Sequence, residues 1–272
     1  MAKRKIGLAL GSGAARGLAH IGVLEVLQEV GVPISMIAGT SAGAAVGALY
    51  AQGKEAGLIK KIALELSWKR LVPLLDLTLP KTGLIRGKKI KDWLRLIIGG
   101  EIEFSDLLMP FACVATDIVT GEEVVINQGS VVEGIRASIS LPVIFAAVKW
   151  KGRYLVDGVL VNPVPVSVLK RMGADFIIAV NVIPDIGQRA QWAGRKGGAG
   201  IKAPSLIGVI VQSIYIGTYS LARSCLEDAD IVIEPQVAHI GYGDFHRAQE
   251  CIQQGELAAR ESIPEMKRRL KV

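Results

Sequence analysis

Ile6-Gly7-Leu8-Ala9-Leu10 runs directly into Gly11-Ser12-Gly13-Ala14-Ala15-Arg16-Gly17, after which Leu18, Ile21, Leu24 and Leu27 recur at helical spacing up to Gly31 and Pro33. A short apolar run stopped by glycine predicts a buried first strand, and the periodicity behind it predicts a helix. The pattern then repeats: a strand at Ser35–Ala38, the turn Gly39-Thr40-Ser41-Ala42-Gly43, and a helix of small apolar residues over Ala42–Ala51. Strands alternating with helices in this way imply a layered α/β fold around a mostly parallel sheet.

Working outward, further helices are predicted at Lys54–Ser67, Lys88–Ile98, Val131–Ser140 (stopped by Pro142) and Val166–Met172. Strands are predicted at Pro110–Ile118 and Glu122–Asn127, joined as a hairpin at Thr120-Gly121, then at Tyr154–Val156, Phe176–Val182 and Ile231–Glu234. A C-terminal helix carries Phe245, Ala248 and Ile252 on one face. Trp68–Gly87 and Asp185–Ala203 read as surface loops. With no repeat and no domain boundary, residues 1–272 are expected to form a single domain, a core of about 6–235 with a helical extension at 244–272.

Two stretches invite a membrane or export reading. Lys3-Arg4-Lys5 followed by Ile6–Leu10 has the start of a signal peptide, but Gly11, Ser12, Gly13 and Arg16 interrupt it before a long apolar region develops. The charge-free run between Lys202 and Arg223 is long enough to cross a bilayer. It contains Gln212, Ser213, Thr218, Tyr219 and two glycines, so a buried core helix is the expectation.

Half of the 272 residues are hydrophobic, which excludes a disordered chain, while only 5% are aromatic and 31 are glycine. The core should therefore be aliphatic, with many close backbone approaches. A net charge of +7 suits an anionic partner. Cys113, Cys225 and Cys251 lack CxxC spacing and are odd in number, so neither zinc nor a disulfide framework is indicated. A reduced cytoplasmic compartment fits, with no metal or cofactor expected.

The glycine-rich turn after the first strand can aim backbone N–H groups into one small volume at a helix N-terminus, a cradle for negative charge. It is neither a dinucleotide fingerprint, since Arg16 occupies the sixth position, nor a P-loop, since Gly-Lys-Ser/Thr is absent. The second turn matches G-x-S-x-G between a strand and a helix, the context that pushes a serine oxygen clear of the backbone, and marks Ser41 as a nucleophile. A serine hydroxyl needs a base. His239 and His246 would complete a Ser–Asp–His triad, whereas His20 reads as a packing or capping residue. A carboxylate in a dry site is the alternative base, and Asp157-Gly158 is the best placed, although the pair also reads as a plain turn.

Three ordered motifs resemble those of the patatin-like phospholipase family, and more narrowly its compact bacterial acylesterases. They are Gly11-Ser12-Gly13-Ala14-Ala15-Arg16-Gly17-Leu18-Ala19-His20, Gly39-Thr40-Ser41-Ala42-Gly43, and Asp157-Gly158-Val159-Leu160-Val161-Asn162-Pro163. The resemblance runs from Ile6 to about Pro235. It implies a three-layer α/β/α fold and a catalytic dyad in which Ser41 is the nucleophile and Asp157 the base. It also implies an oxyanion hole from the backbone of Ser12, Gly13 and Ala14, with Arg16 as the following basic residue. Two departures stand out: Ser12 and Ala14 replace glycines, and Val159 replaces a smaller residue.

The implied substrate is a carboxylic ester of a lipid. Basic clusters at Lys3–Lys5, Arg86–Lys91, Lys149–Arg153, Arg189–Lys202 and Lys267–Lys271, with Trp68, Trp93, Trp150 and Trp192 in or near several, suit peripheral contact with an anionic membrane surface. No recognition motif accompanies the charge, so nucleic acid is not an expected partner. A lipid- or protein-binding regulator that keeps the scaffold is the alternative function, motivated by the altered glycine triplet.

Overall fold

The computed structural model describes residues 4–65, 76, 84–185, 187 and 205–270. Strand β1 (Ile6–Leu10) lies between β2 (Ile34–Thr40) and β7 (Phe176–Val180), both parallel to it. β3 (Phe111–Asp117) continues the parallel set beyond β2, and β8 (Ile231–Ile233) continues it beyond β7. Three antiparallel strands complete the eight-stranded sheet: β4 (Glu123–Ile126), β5 (Val148–Trp150) and β6 (Arg153–Asp157).

The side-chain period of two along β1 sorts the core into two layers. Ile6, Leu8 and Leu10 face a large cluster built with α1 (Ala19–Glu29), α2 (Ala42–Ala51), α3 (Ala56–Leu64), α4 (Lys88–Ile98), α5 (Val131–Ser138) and α8 (Ala248–Leu270). Ala9 faces the other way, with Met36, Ala38, Ala112 and Ala179, against α6 (Val166–Arg171) and α7 (Leu206–Leu226). Small residues on that second face let its helices sit close to the strands. The architecture is the expected three-layer α/β/α arrangement around a mostly parallel sheet.

The path of the chain around β3 positions everything that follows. β4 pairs along one edge of β3 over Cys113–Thr116. The other edge is shared: β2 runs beside Phe111–Val114 and β6 beside Ala115–Asp117. β2 is parallel to β3 and β6 antiparallel, so their C-terminal ends meet head to head at Val114 and Ala115. Ser41 follows one end and Asp157 forms the other.

The C-terminal helix is packed into the main core rather than appended to it. α8 crosses α1 where a Cβ on Gly22 would overlap the carbonyl of Ile252, and one on Gly255 would overlap that of Ala19. Two glycines thus let the two backbones touch.

Several boundaries differ from the expectation. α3 is shorter than Lys54–Ser67. Most of Trp68–Gly87 and Asp185–Ala203 lies outside the described residues, but Ile85 is buried and bridges to Phe145. β5 was not foreseen. Its hairpin with β6 turns on Lys151 and Gly152, both at positive φ as a tight hairpin turn requires, and three half-exposed residues carry too little pattern to announce a strand. α7 is not a buried core helix. Tyr215, Thr218, Ala222 and Leu226 are buried, whereas Leu206 is 76% exposed and Val209 and Ile216 about half exposed. It is the one described helix long and apolar enough to cross a membrane.

Gly22→Ala should lower stability by about 1–3 kcal/mol through overpacking of the helix crossing. Gly57→Ala on α3, where an added Cβ meets nothing within 4 Å, should instead gain up to about 1 kcal/mol from helix propensity. Urea unfolding of both variants checks the pair.

Candidate active site

The Gly39–Gly43 turn is built from close approach. A Cβ on Gly39 would lie 2.5 Å from the carbonyl oxygen of Gly43, and one on Gly43 would overlap the carbonyl of Leu10. Ser41 between them adopts φ 56° and ψ −119°, a region costing on the order of 1–3 kcal/mol for a residue with a Cβ. The conformation projects the hydroxyl from the end of β2 while α2 starts at the next residue.

Ser41 Oγ donates to Asp157 Oδ2 at 2.6 Å. The second carboxylate oxygen, Oδ1, accepts from the Val159 amide at 2.9 Å, and Thr116 Oγ1 donates to the Asp157 carbonyl at 2.8 Å. Gly158 is required by packing, because a Cβ there would overlap the carbonyl of Val114. The Asp157-Gly158 pair is therefore a strand end pressed against β3, not a plain turn.

Asp157 is 2% exposed. Burial raises its carboxyl from the usual 3.8 to about 7, with the hydrogen bonds from Ser41 and Val159 acting in the opposite direction. Such a group is a far better proton acceptor than a surface carboxylate and titrates near neutrality.

The histidines stand elsewhere. His20 Nε2 pairs with the Gly11 carbonyl at 2.7 Å, and complete burial pushes the imidazole down to about 4. It is neutral at pH 7, donating from Nε2 and bracing the glycine-rich turn. His239 Nε2 meets Glu250 Oε1 at 2.7 Å, and His246 lies exposed on a short 3-10 turn, Phe245–Arg247. The Ser41 hydroxyl is engaged by Asp157 directly, which removes the geometric basis of the triad alternative.

The glycine-rich turn divides its amides between two tasks. Gly11 donates to the Val180 carbonyl, Ser12 to that of Pro163 and Ala15 to that of Tyr242. Among the described residues, the amides of Gly13 and Ala14 have no such partner. Ser12 thus anchors the turn instead of offering a free donor, unlike the expectation for all three positions. Ala14 takes the left-handed conformation, φ 49°, that a glycine would adopt without strain. Arg16 is buried, donating to the Ile240 carbonyl at 2.6 Å and lying over the Tyr242 ring. It ties the turn to the segment leading into α8. A Cβ on Gly17 would overlap Ala42, so the turn abuts the N-terminus of α2, whose first amides lack intrahelical partners.

Sequence reasoning overlooked the end of α5. The Ser41 amide donates to Ser138 Oγ at 2.9 Å, and Ser138 Oγ donates onward to the Val114 carbonyl at 2.6 Å. The Asp157 amide donates to the Ser140 carbonyl at 2.9 Å. The available signal was the polar residues Arg136, Ser138 and Ser140 recurring within an otherwise apolar helix end.

Comparison with known proteins bears on the family and the fold. Residues 8–170 match the patatin-like phospholipase family. The chain belongs to the patatin-like phospholipase family. An uncharacterized NTE family protein of Mycobacterium tuberculosis is 39% identical over 178 residues, 65% of this chain and 49% of that protein. Patatin-like phospholipase domain-containing protein 6 of Homo sapiens is 36% identical over 184 residues, 65% of this chain and 13% of its own length. An uncharacterized NTE family protein of Mycobacterium bovis is 31% identical over 285 residues, 97% of this chain and 47% of that one. The patatin-like chain thus matches about half or less of the length of these relatives. Among solved structures, VipD from Legionella pneumophila superposes with a TM-score of 0.64 at 15% identity, covering 96% of this chain and 67% of that one. That likeness speaks for the patatin fold alone.

The two buried groups link stability to pH with opposite signs. The raised Asp157 binds its proton more tightly in the folded protein, so its contribution falls as pH rises from about 4 to about 7. The depressed His20 contributes on the order of 3 kcal/mol that is complete above pH 6.5 and lost as pH falls to about 4. Asp157→Asn removes the first effect. Its denaturation midpoint should therefore climb more steeply than wild type between pH 4 and 6.5, and equal slopes would contradict the assignment.

Proposed function

We propose that this patatin-like chain is a serine acylhydrolase, a lipid acyl esterase of phospholipase A type. The observation carrying the reading is the 2.6 Å hydrogen bond from Ser41 Oγ to a carboxylate buried enough to titrate near pH 7. Asp157 takes the hydroxyl proton as Ser41 Oγ attacks the acyl carbonyl. The tetrahedral oxyanion is met by the amides of Gly13 and Ala14, with the N-terminus of α2 adding positive potential. As the carbon–oxygen bond to the alcohol breaks, protonated Asp157 returns its proton to the leaving oxygen. Water then enters, gives a proton to Asp157 and attacks the acyl-enzyme, and that proton returns to Ser41 as the free acid departs.

Ala14 already occupies the left-handed conformation, and the amides of Gly13 and Ala14 have no backbone acceptor among the described residues, so the Ser-Gly-Ala triplet keeps two donors for an oxyanion. This supports hydrolysis over a purely binding regulator. Hydrolysis of short- and medium-chain aryl esters tests the reading. Wild type should turn over, Ser41→Ala should fall to background, and Asp157→Asn should lose on the order of 10³-fold in kcat. In wild type kcat/KM should rise with unit slope to a half-maximum near pH 7 and level above it. A folded wild type inert to every ester would overturn the proposal.

The proposed substrate surface is an anionic bilayer, met peripherally from the cytoplasmic side. Three features support this: the net charge of +7, the outward apolar residues of α7, and α7's contact with the Gly158–Leu160 turn that follows Asp157. A soluble helix normally carries charge on its outward face, whereas α7 carries none before Arg223. Val209→Asp with Ile216→Asp should abolish sedimentation with phosphatidylglycerol vesicles while leaving aryl-ester turnover within about twofold of wild type. Undiminished vesicle binding by the pair would remove α7 from the membrane surface.

A further inference from the structure

We infer that Ser138 is a positioning residue for the nucleophile, and that the C-terminal turn of α5 sets Ser41 and Asp157 against each other. The inference rests on the proposed acylhydrolase reading and adds to it a residue that never touches substrate.

The argument starts from the junction on β3. β2 and β6 abut at Val114 and Ala115, and no ladder hydrogen bond joins one strand end to the other, since each pairs with β3. Their relative placement must come from elsewhere. α5 ends directly over this junction and contacts both edges of it. Ser138 is fully buried, and its hydroxyl fills two complementary roles, accepting from the Ser41 amide and donating to the Val114 carbonyl. Two residues on, the Ser140 carbonyl accepts from the Asp157 amide. One helix end therefore grips the backbone of Ser41, the backbone of Asp157, and the strand beside them both.

The Ser41 amide is where such support is most needed. Ser41 sits at φ 56°, outside the ladder of β2 and before the first hydrogen-bonded turn of α2. Without Ser138 this buried N–H has no acceptor, and the strained conformation loses the bond that holds it.

The turn is itself anchored. Arg136, nearly buried, donates to Ser140 Oγ and, through Nη2, to the carbonyls of Arg86 at 3.0 Å and Ala146 at 3.3 Å. Gly87 packs against its guanidinium so closely that a Cβ there would overlap it. The guanidinium thus fixes the residues leaving α5 to the chain segments on either side.

The distinguishing consequence is electrostatic. The hydrogen bond from Ser41 favours the charged form of Asp157. A Ser41 that swings away removes this bond, so the carboxyl becomes harder to ionise and the pH midpoint of activity moves up. A merely structural loss would lower the amount of active enzyme and leave the midpoint in place.

The test compares Ser138→Ala, Ser138→Cys and Ser138→Thr with wild type on a soluble aryl ester, and follows the rate of Ser41 labelling by a fluorophosphonate. Ala and Cys should each lower kcat at least tenfold with KM within about twofold, slow labelling in proportion, and raise the pH midpoint by half a unit or more. Cys preserves the volume while offering a weak acceptor, so it serves even where the Ala variant fails to fold. Thr retains the hydroxyl and should keep the wild-type midpoint. Folded Ala or Cys variants with wild-type midpoint and kcat within threefold would overturn the inference while leaving the acylhydrolase reading intact. A wild type inert to both ester and label would instead overturn that reading, and this inference with it.

Discussion

Two strand ends meeting head to head on one edge of β3 are the constraint on which the rest of the site depends. Neither strand pairs with the other, so no shared ladder fixes the distance between Ser41 and Asp157. Here β2 and β6 approach the same point of β3 from opposite directions, and the contact between Ser41 and Asp157 closes the gap at 2.6 Å. The arrangement tolerates little bulk. Gly158 lies against the Val114 carbonyl and Gly43 of α2 against that of Leu10 in β1, so a side chain would push the chain from β3 at the first and α2 from the sheet at the second. Glycine at these positions is a packing requirement, since neither carries a positive φ.

Burial at this junction underlies the proposed chemistry. A carboxylate removed from water is destabilised in its charged form, and the same desolvation that raises its pKa gives it the strength to accept a serine proton. The hydrogen bonds to Oδ1 and Oδ2 limit the shift to a value near neutrality, so an ionised population is present at pH 7. His20 obeys the same rule with the opposite outcome: burial holds it neutral, where it can donate to the Gly11 carbonyl but not supply a charge. A fold with an aliphatic core and few aromatic residues can place both groups in dry surroundings because its small side chains let backbone and helix close over them.

Much of this was legible in the sequence wherever local chemistry and tertiary demand coincide. β1, α2 and α4 begin and end where apolar runs, glycines and helical spacing place them. Ser41 and Asp157 could be singled out because a strained turn and a strand end leave marks in the residues around them. The remainder depended on long-range contacts. The Ser12 amide is committed to Pro163, some 150 residues away in the chain, and no local pattern reveals that. Ser138 looks like an ordinary helix-end serine until the fold brings Ser41 to it. α7 reads as core by composition, yet only Tyr215, Thr218, Ala222 and Leu226 of its residues are buried.

The site has two halves held by different parts of the chain. Ser41 and Asp157 are held through their amides by the end of α5, close to the middle of the sequence. The glycine-rich turn is held from the far end: Arg16 reaches the Ile240 carbonyl, Ala15 donates to that of Tyr242, and α8 locks against α1 through Gly22 and Gly255. Tyr242 in turn stacks on Tyr215 of α7. α7 therefore touches both halves: through Tyr242 it meets the turn carrying the Gly13 and Ala14 amides, and through the Gly158–Leu160 turn it meets the segment whose Val159 amide holds Asp157. An outward apolar helix is thus packed against both the glycine-rich turn and the strand end beside Ser41.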